Sequence, residues 1–201
     1  MADRAGSPPR AWQRMLSGRR LDLLDPSPLD VEPADIAHGL ARVARWNGQT
    51  VGPHAFSVAQ HSLLVLDLAL RLEPGLTPAE RLTVLLHDAP EYVIGDMISP
   101  FKAVIGGAYK EVEKRLLGAI HVRFGLPAEI DPALERRIKA ADRGAAYLEA
   151  TTLAGFGATE SKRLFGSDPG LPDDIRTDLL TPWPIGKAEK RFLARFQTLL
   201  D

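Results

Sequence analysis

The chain has 201 residues, 45% of them hydrophobic and 25% charged, which is typical of one globular domain with a sizeable core. Its 25 basic and 26 acidic residues leave a formal net charge of −1, a balance that argues against nucleic acid as a partner. The absence of cysteine excludes disulfides and thiolate metal sites, so any metal must bind to nitrogen and oxygen.

The start of the chain predicts a tail followed by a single domain. Residues 1 to about 10 are polar and Pro-rich and are predicted to be mobile. They belong to a predicted N-terminal tail over 1–16, and 17–201 form the predicted domain. No apolar signal core stands at the N-terminus, and no apolar run approaches the roughly 20 residues needed to span a bilayer. We therefore expect no membrane contact and a cytoplasmic location, with which the lack of cysteine is compatible.

Helix start signals follow in order. Pro33 suits the first turn of a helix that reaches about residue 44. Ser57 and Gln60 have the capping-box spacing, which predicts a helix that runs to about residue 72. Thr77 and Glu80 repeat that spacing and predict a third helix, which ends near residue 88.

The rest of the chain continues the helical pattern. Further helices are predicted over 108–124, 131–153 and 186–199, whereas 155–172 has the composition of a loop with room for one short helix. Alternating strand patterns are nearly absent, so the predicted fold class is all-α. The sequence also permits short strands around Leu21 or Thr50.

Residues that can bind a metal interrupt three of these apolar helical stretches. His61 lies near the start of the second predicted helix, and His87 and Asp88 follow the apolar run that ends the third. Asp142 lies in the long helix over 131–153. Two imidazoles and two carboxylates can together bind one divalent ion.

Each of these residues also has a structural interpretation. A histidine on an apolar helix face is commonly a hydrogen-bonded core residue, and an isolated Asp is commonly solvated or a helix cap. His87 alone would suit the negative end of a helix dipole, but the carboxylate of Asp88 would not. Neighbouring helical residues point about 100° apart, so both reach one ion only where the helix ends, as Pro90 permits. Together the residues favour a metal site.

The order of these residues resembles the HD superfamily of metal-dependent phosphohydrolases, whose name comes from the doublet that His87-Asp88 matches. Within that superfamily, the chain is similar to the bacterial 5′-deoxynucleotidase branch. The closer match is carried by three short stretches: Arg45-Trp46, Glu91, and Gly95-Asp96 leading to Ser99-Pro100-Phe101-Lys102. The resemblance covers about 36–153.

The resemblance implies an HD-domain helical bundle around one divalent metal ion, and a homodimer. It places the first ligand at His61, although His38 and His54 compete for that position from the residues alone. The implied ligands are His61, His87, Asp88 and Asp142. This donor set suits Mn²⁺, Co²⁺, Fe²⁺, Ni²⁺ or Zn²⁺ better than Mg²⁺, which prefers oxygen.

The resemblance also assigns roles around the metal. Glu91 matches the catalytic carboxylate that orients or deprotonates water, and Asp96 matches a residue near the sugar. Arg45 and Lys102 match phosphate-binding positions, and Trp46 offers an aromatic wall for a base or sugar. The structural alternatives are a solvated Glu91, a capping Asp96, a core Trp46 and a surface Lys102.

Three functions compete on this basis. The first is removal of the 5′-phosphate from deoxynucleoside monophosphates, with a small nucleotide as the substrate. The second is another HD-type reaction, on an alarmone pyrophosphate or a phosphodiester. The third is metal or nucleotide binding without catalysis, against which Glu91 argues because a pure binder needs no base. The residues after Leu153 fall outside the resemblance and can reshape the pocket.

Overall fold

The computed structural model describes residues 10–98, 101, 104 and 107–200. Helix accounts for 62% of these described residues and strand for 4%, which confirms the all-α fold class. In the described ranges, no helix is both long and apolar enough to cross a membrane.

A two-stranded antiparallel hairpin precedes the helices. It pairs β1 (Trp12–Arg14) with β2 (Arg20–Asp22), so the strand left open around Leu21 is present. Leu21 is fully buried, and its neighbour Leu23 donates a backbone hydrogen bond to Ala11. The predicted tail over 1–16 therefore extends too far, because β1 lies within it and pairs with the domain; residues 1–9 lie outside the described part.

The helices follow in chain order: α1 (Pro33–Leu40), α2 (Val58–Leu72), α3 (Pro78–Leu85), α4 (Glu91–Ile94), α5 (Gly107–Arg123), α6 (Pro132–Thr152), α7 (Ala158–Phe165), α8 (Asp173–Leu180) and α9 (Ile185–Leu200). Helices α2 and α6 pack along each other at the centre, and α3 and α9 pack against α2. The α7 helix is the one short helix for which the predicted loop over 155–172 left room, and α8 was not predicted.

The first helix is shorter than predicted because the backbone after it forms an isolated antiparallel bridge, between Ala44 and Ser57, instead of another helical turn. Helix α1 ends at Leu40, and beyond it Val43 accepts a hydrogen bond from the Val58 backbone. Inside α1, a Cβ at Gly39 would lie 2.6 Å from the Tyr92 carbonyl oxygen. This close approach brings α1 against α4, beside the turn that carries the His-Asp doublet.

The two predicted capping boxes differ in outcome. At the start of α3, Thr77 and Glu80 complete both hydrogen bonds of the box. At the start of α2, Ser57 accepts from the Gln60 backbone, but the Gln60 side chain does not return to the cap. It binds backbone groups of the C-terminal segment instead, so the predicted box at α2 is only half formed.

Candidate metal centre

Three elements bring the four predicted ligands together: ligand atoms of His61, His87 and Asp88 all lie within 4.8 Å of one another, and Asp142 joins them through its contact with His61. His61 lies in the first turns of α2, Asp142 lies in α6, and α3 ends at Leu85, so that His87 and Asp88 stand in the following turn. The Nε2 atom of His61 lies 3.4 Å from Asp88 Oδ2 and 3.3 Å from Asp142 Oδ1. The Nε2 atom of His87 lies 3.3 Å from the same Asp88 oxygen. We call these four residues the ligand cluster.

The two imidazoles direct their available nitrogens into the cluster. The Nε2 atoms of His61 and His87 are buried and make no hydrogen bond within the described structure. Their other ring nitrogens are held, at 2.5 Å from Glu149 Oε1 for His61 and at 2.9 Å from the Val84 carbonyl oxygen for His87. These oxygens act as acceptors, so each Nδ1 carries a proton, and each Nε2 faces the carboxylates, where it is in position to offer a lone pair to a metal ion.

The distances and donor types fit one divalent ion. Donors bonded to an ion at about 2.0–2.2 Å lie roughly 3–3.5 Å apart around it. The separations of 3.3–3.4 Å within the ligand cluster fall in that range. Two nitrogens and two oxygens suit the predicted transition metals and zinc.

The electrostatics of the cluster also call for positive charge. Burial and the Arg45 guanidinium lower the pKa of His61, but the carboxylates of Glu149, Asp142 and Asp88 outweigh them and raise it well above its ordinary value. Burial raises the pKa of Asp88, yet the neighbouring imidazoles hold it well below the usual range. A second proton on His61 or a metal cation can supply the charge that these carboxylates require.

A fifth residue, the buried Glu149, supports the cluster from behind. It is fully buried, and burial raises its pKa, but Arg45 and His61 reverse that effect and leave the pKa lowered. Besides holding His61, it accepts hydrogen bonds from Trp46 Nε1 at 2.8 Å and from Arg45 Nε at 3.3 Å. Sequence reasoning missed Glu149, although its place seven residues after Asp142, about two turns along α6, puts both on one face.

A cavity of about 670 Å³ opens in front of the ligand cluster, a size that suits a small-molecule site. Its polar side includes Asp88 and Asp142 from the cluster, together with Glu91 and Asp96. Glu91 is only 2% exposed, which excludes the alternative of an ordinary solvated residue. The side chain of Asp96 is also buried and lies 3.7 Å from an Arg45 nitrogen.

Another part of the cavity lining is aromatic. The Trp46 ring lies 5.5 Å from the ring of Phe156 and 5.8 Å from that of Phe165, centroid to centroid. We call these three residues the aromatic wall. Phe156 and Phe165 come from the segment after Leu153, so that segment does shape the pocket, and sequence reasoning did not identify them.

Two arginines line the cavity, and they differ in whether a carboxylate pairs with them. Arg45 is paired with Glu149 and Asp96, whose carboxylates raise its pKa although burial opposes them. Arg143, which sequence reasoning did not select, is exposed and has no ion pair or hydrogen bond among the residues described. Its position directly after Asp142 was the available signal. The predicted Lys102 lies outside the described residues.

The two competing histidines lie away from the cluster. His38 Nδ1 stands 3.5 Å from a Glu189 oxygen at the surface, and His54 is exposed in a loop.

No family model matches the chain. An uncharacterised protein of Rhodobacter capsulatus is 57% identical over 192 residues, which covers 95% of this chain and 96% of that relative. The chain therefore belongs to the same family as the Rhodobacter capsulatus protein, whose name assigns no activity.

Proposed function

We propose that the protein is an HD-type, metal-dependent phosphohydrolase that removes the 5′-phosphate from nucleoside monophosphates and prefers deoxynucleotides. One observation carries the proposal. The ligand cluster and the buried Glu91 face the same cavity as an aromatic wall, so groups suited to phosphate chemistry and to a nucleobase share one site.

Charge supports the presence of a cation in this site. Four carboxylates and two guanidinium groups line the described cavity, an excess of two negative charges that would repel a phosphate dianion. A divalent ion held by His61, His87, Asp88 and Asp142 would cancel that excess, polarise the phosphate and lower the pKa of a water molecule.

Glu91 is the proposed catalytic carboxylate. It is buried in the first turn of α4, three residues after Asp88, and lines the cavity beside the cluster. A carboxylate held in this way orients the attacking water and accepts its proton, a contribution of about 10²–10⁴-fold.

Arg143 is the proposed partner of the phosphate. An exposed guanidinium without a carboxylate partner can bind phosphate oxygens through its planar fork. Arg45 matches the phosphate-binding position of the resembled branch, but its charge is already shared with Glu149 and Asp96. In our proposal Arg45 compensates these buried acids, and Lys102 remains an expectation from the resemblance.

The aromatic wall is the proposed site of the base, and Asp96 that of the sugar. Flat aromatic rings pack well against a base, and Asp96 lines the cavity beside Arg45. A pocket closed against the 2′ position would bury the hydroxyl of a ribonucleotide without a partner. That costs about 1–3 kcal/mol, which corresponds to roughly ten- to hundred-fold preference for the deoxynucleotide.

A hydrolysis screen tests the proposal. dAMP, AMP and a 3′-pyrophosphorylated nucleotide are compared at matched concentration with Mn²⁺ and with Co²⁺, and both phosphate and pyrophosphate are followed. We expect phosphate release, faster from dAMP than from AMP. Release of pyrophosphate alone would favour the second HD-type reaction, and binding without turnover would favour a sensor. Light scattering tests the homodimer that the resemblance implies.

A further inference from the structure

A single buried carboxylate joins the ligand cluster to the aromatic wall. Oε1 of Glu149 lies 2.5 Å from His61 Nδ1. Oε2 of Glu149 accepts from Trp46 Nε1 at 2.8 Å and from Arg45 Nε at 3.3 Å. One side chain thus contacts a proposed metal ligand through one oxygen and two residues of the cavity through the other.

Only an ionised carboxylate satisfies all three partners. The indole and guanidinium nitrogens can only donate, and the Nδ1 atom of His61 must donate if its Nε2 lone pair is to face a metal. An amide at position 149 offers one acceptor and one donor. If its oxygen faced His61, its NH₂ group would face the donors of Trp46 and Arg45. If it were reversed, it would move the His61 proton to Nε2 and remove the ligating lone pair.

The turn that carries Trp46 depends on such support. Trp46 and Asn47 adopt backbone φ angles of 56° and 51°. These values lie in the left-handed region, which residues other than glycine rarely adopt. Contacts outside the turn must therefore hold it. The hydrogen bond from the indole to Glu149 is such a contact, and it fixes the ring that begins the aromatic wall.

We propose that Glu149 is a positioning residue that couples metal binding at His61 to the placement of Trp46 in the cavity wall. The inference rests on the proposed function for the identity of the metal site. Because both arrangements use the same carboxylate, a metal and a molecule bound against Trp46 stabilise the same structure. Each should then strengthen the binding of the other by an equal factor.

The substitution Glu149→Gln tests this coupling with almost no change in shape. Purified protein is stripped with a chelator, and its Zn²⁺ affinity is measured by competition with a chromogenic chelator. We expect Zn²⁺ binding to weaken by about 10–100-fold, as is usual when the partner of a ligating histidine is lost. Tryptophan emission, with the Trp46→Phe protein subtracted, should respond to Zn²⁺ in the wild type and not in Glu149→Gln.

Glu189→Gln is the matched control. It makes the same chemical change at a surface carboxylate that pairs with Arg42, and Zn²⁺ affinity should stay at the wild-type value. A Glu149→Gln protein that unfolds more easily but binds Zn²⁺ as tightly as the wild type would show a purely structural role and overturn the proposal.

Two further results separate the proposals. If Glu149→Gln does not fold, Trp46→Phe removes the indole donor and keeps a smaller aromatic ring. Coupling then predicts a several-fold change in Zn²⁺ affinity, whereas no change contradicts it. If the wild-type protein bound no Zn²⁺, that result would contradict the proposed metal site and, with it, the proposed function. Normal Zn²⁺ binding without nucleotide hydrolysis leaves the coupling in place.

Discussion

Gln60 and His61 are adjacent in α2 and fully buried, yet they end in different surroundings. The Gln60 amide is satisfied by three backbone groups of the C-terminal segment: it donates to the carbonyl oxygens of Leu179 and Thr181, both at 2.8 Å, and accepts from the Trp183 nitrogen at 3.0 Å. His61 has one ring nitrogen satisfied by Glu149, and the other faces two carboxylates without a hydrogen bond.

The difference separates a structural polar residue from a proposed metal ligand. A buried polar atom without a partner costs about 1–3 kcal/mol, so a fold retains one mainly where something else binds it. His121 shows that an unpartnered nitrogen is not sufficient. It is buried, its Nδ1 bonds to the Pro127 carbonyl oxygen, and its Nε2 has no hydrogen bond in the part of the chain that the structure describes. Burial lowers its pKa, whereas the carboxylates around His61 raise the pKa of that residue. Converging carboxylates mark the site.

The largest effect is expected on the ligand side of the comparison. Replacing His87 by Ala or Asp142 by Asn should remove most of the bound metal and lower turnover by about 10³-fold or more, because the metal supplies several kcal/mol of transition-state stabilisation. Metal content is measured after stripping and reloading, with circular dichroism to verify folding. Wild-type stoichiometry in a folded variant would contradict the assignment.

A substitution at Glu91, beside the ligand cluster, should affect catalysis without affecting metal binding. Glu91→Gln keeps the ligand cluster intact and should lower kcat by about 10²–10⁴-fold with metal content unchanged, because it removes a group that acts in the transition state. Steady-state kinetics with dAMP and metal analysis of the same sample provide the measurement. Activity within a few-fold of wild type would mean that another group serves as the base.

The ligand side of the comparison could be predicted from sequence, and much of the structural side could not. His61, His87, Asp88 and Asp142 were selected because they are polar residues beside or within apolar helical stretches, a local signal, and because their order resembles that of the HD superfamily. Gln60 has a local signal too, the capping-box spacing, but it was misleading because tertiary backbone groups bind its amide instead.

The cavity shows the same limit. The Arg45-Trp46 side was predicted from a motif, whereas Phe156 and Phe165 reach the cavity only because the chain after α6 folds back over it. Composition predicted a loop there and contained no information on where that loop would pack. The all-α class was predictable because it depends on periodicity, which each helix carries by itself.

The structural side is tested by Gln60→Ala. This substitution leaves two carbonyl oxygens and one backbone N–H without their partner, and we expect the free energy of unfolding to fall by ~3 kcal/mol. Metal content should stay at the wild-type value. Urea denaturation gives the stability, and Gln197→Ala, at an exposed position of α9, is the control that should change little. If Gln60→Ala lost metal as well as stability, Gln60 and His61 could not be separated into a structural residue and a proposed metal ligand.

The smallest effect is expected at Glu80, which holds the same capping-box position as Gln60 but near the surface. Glu80→Ala removes the acceptor of the Thr77 backbone and hydroxyl, where water can replace it, so we expect a loss of only about 0.5–1 kcal/mol at pH 7. The hydrogen bond from the Thr77 backbone, followed by that from its hydroxyl, holds the pKa of Glu80 below its ordinary value.

This lowered pKa fixes the sign of the pH dependence. A carboxyl group with a depressed pKa in the folded state stabilises the fold above its unfolded pKa, about 4.3, and loses that contribution as the pH falls through the folded value. The difference between wild type and Glu80→Ala in urea denaturation should therefore shrink on going from pH 7 to pH 3. Glu160 occupies the equivalent position of α7, where the cap is Gly157 and offers no side chain, so Glu160→Ala should show no such pH-dependent loss. Equal behaviour of the two variants would mean that the helix dipole, and not the capping box, accounts for the effect at Glu80.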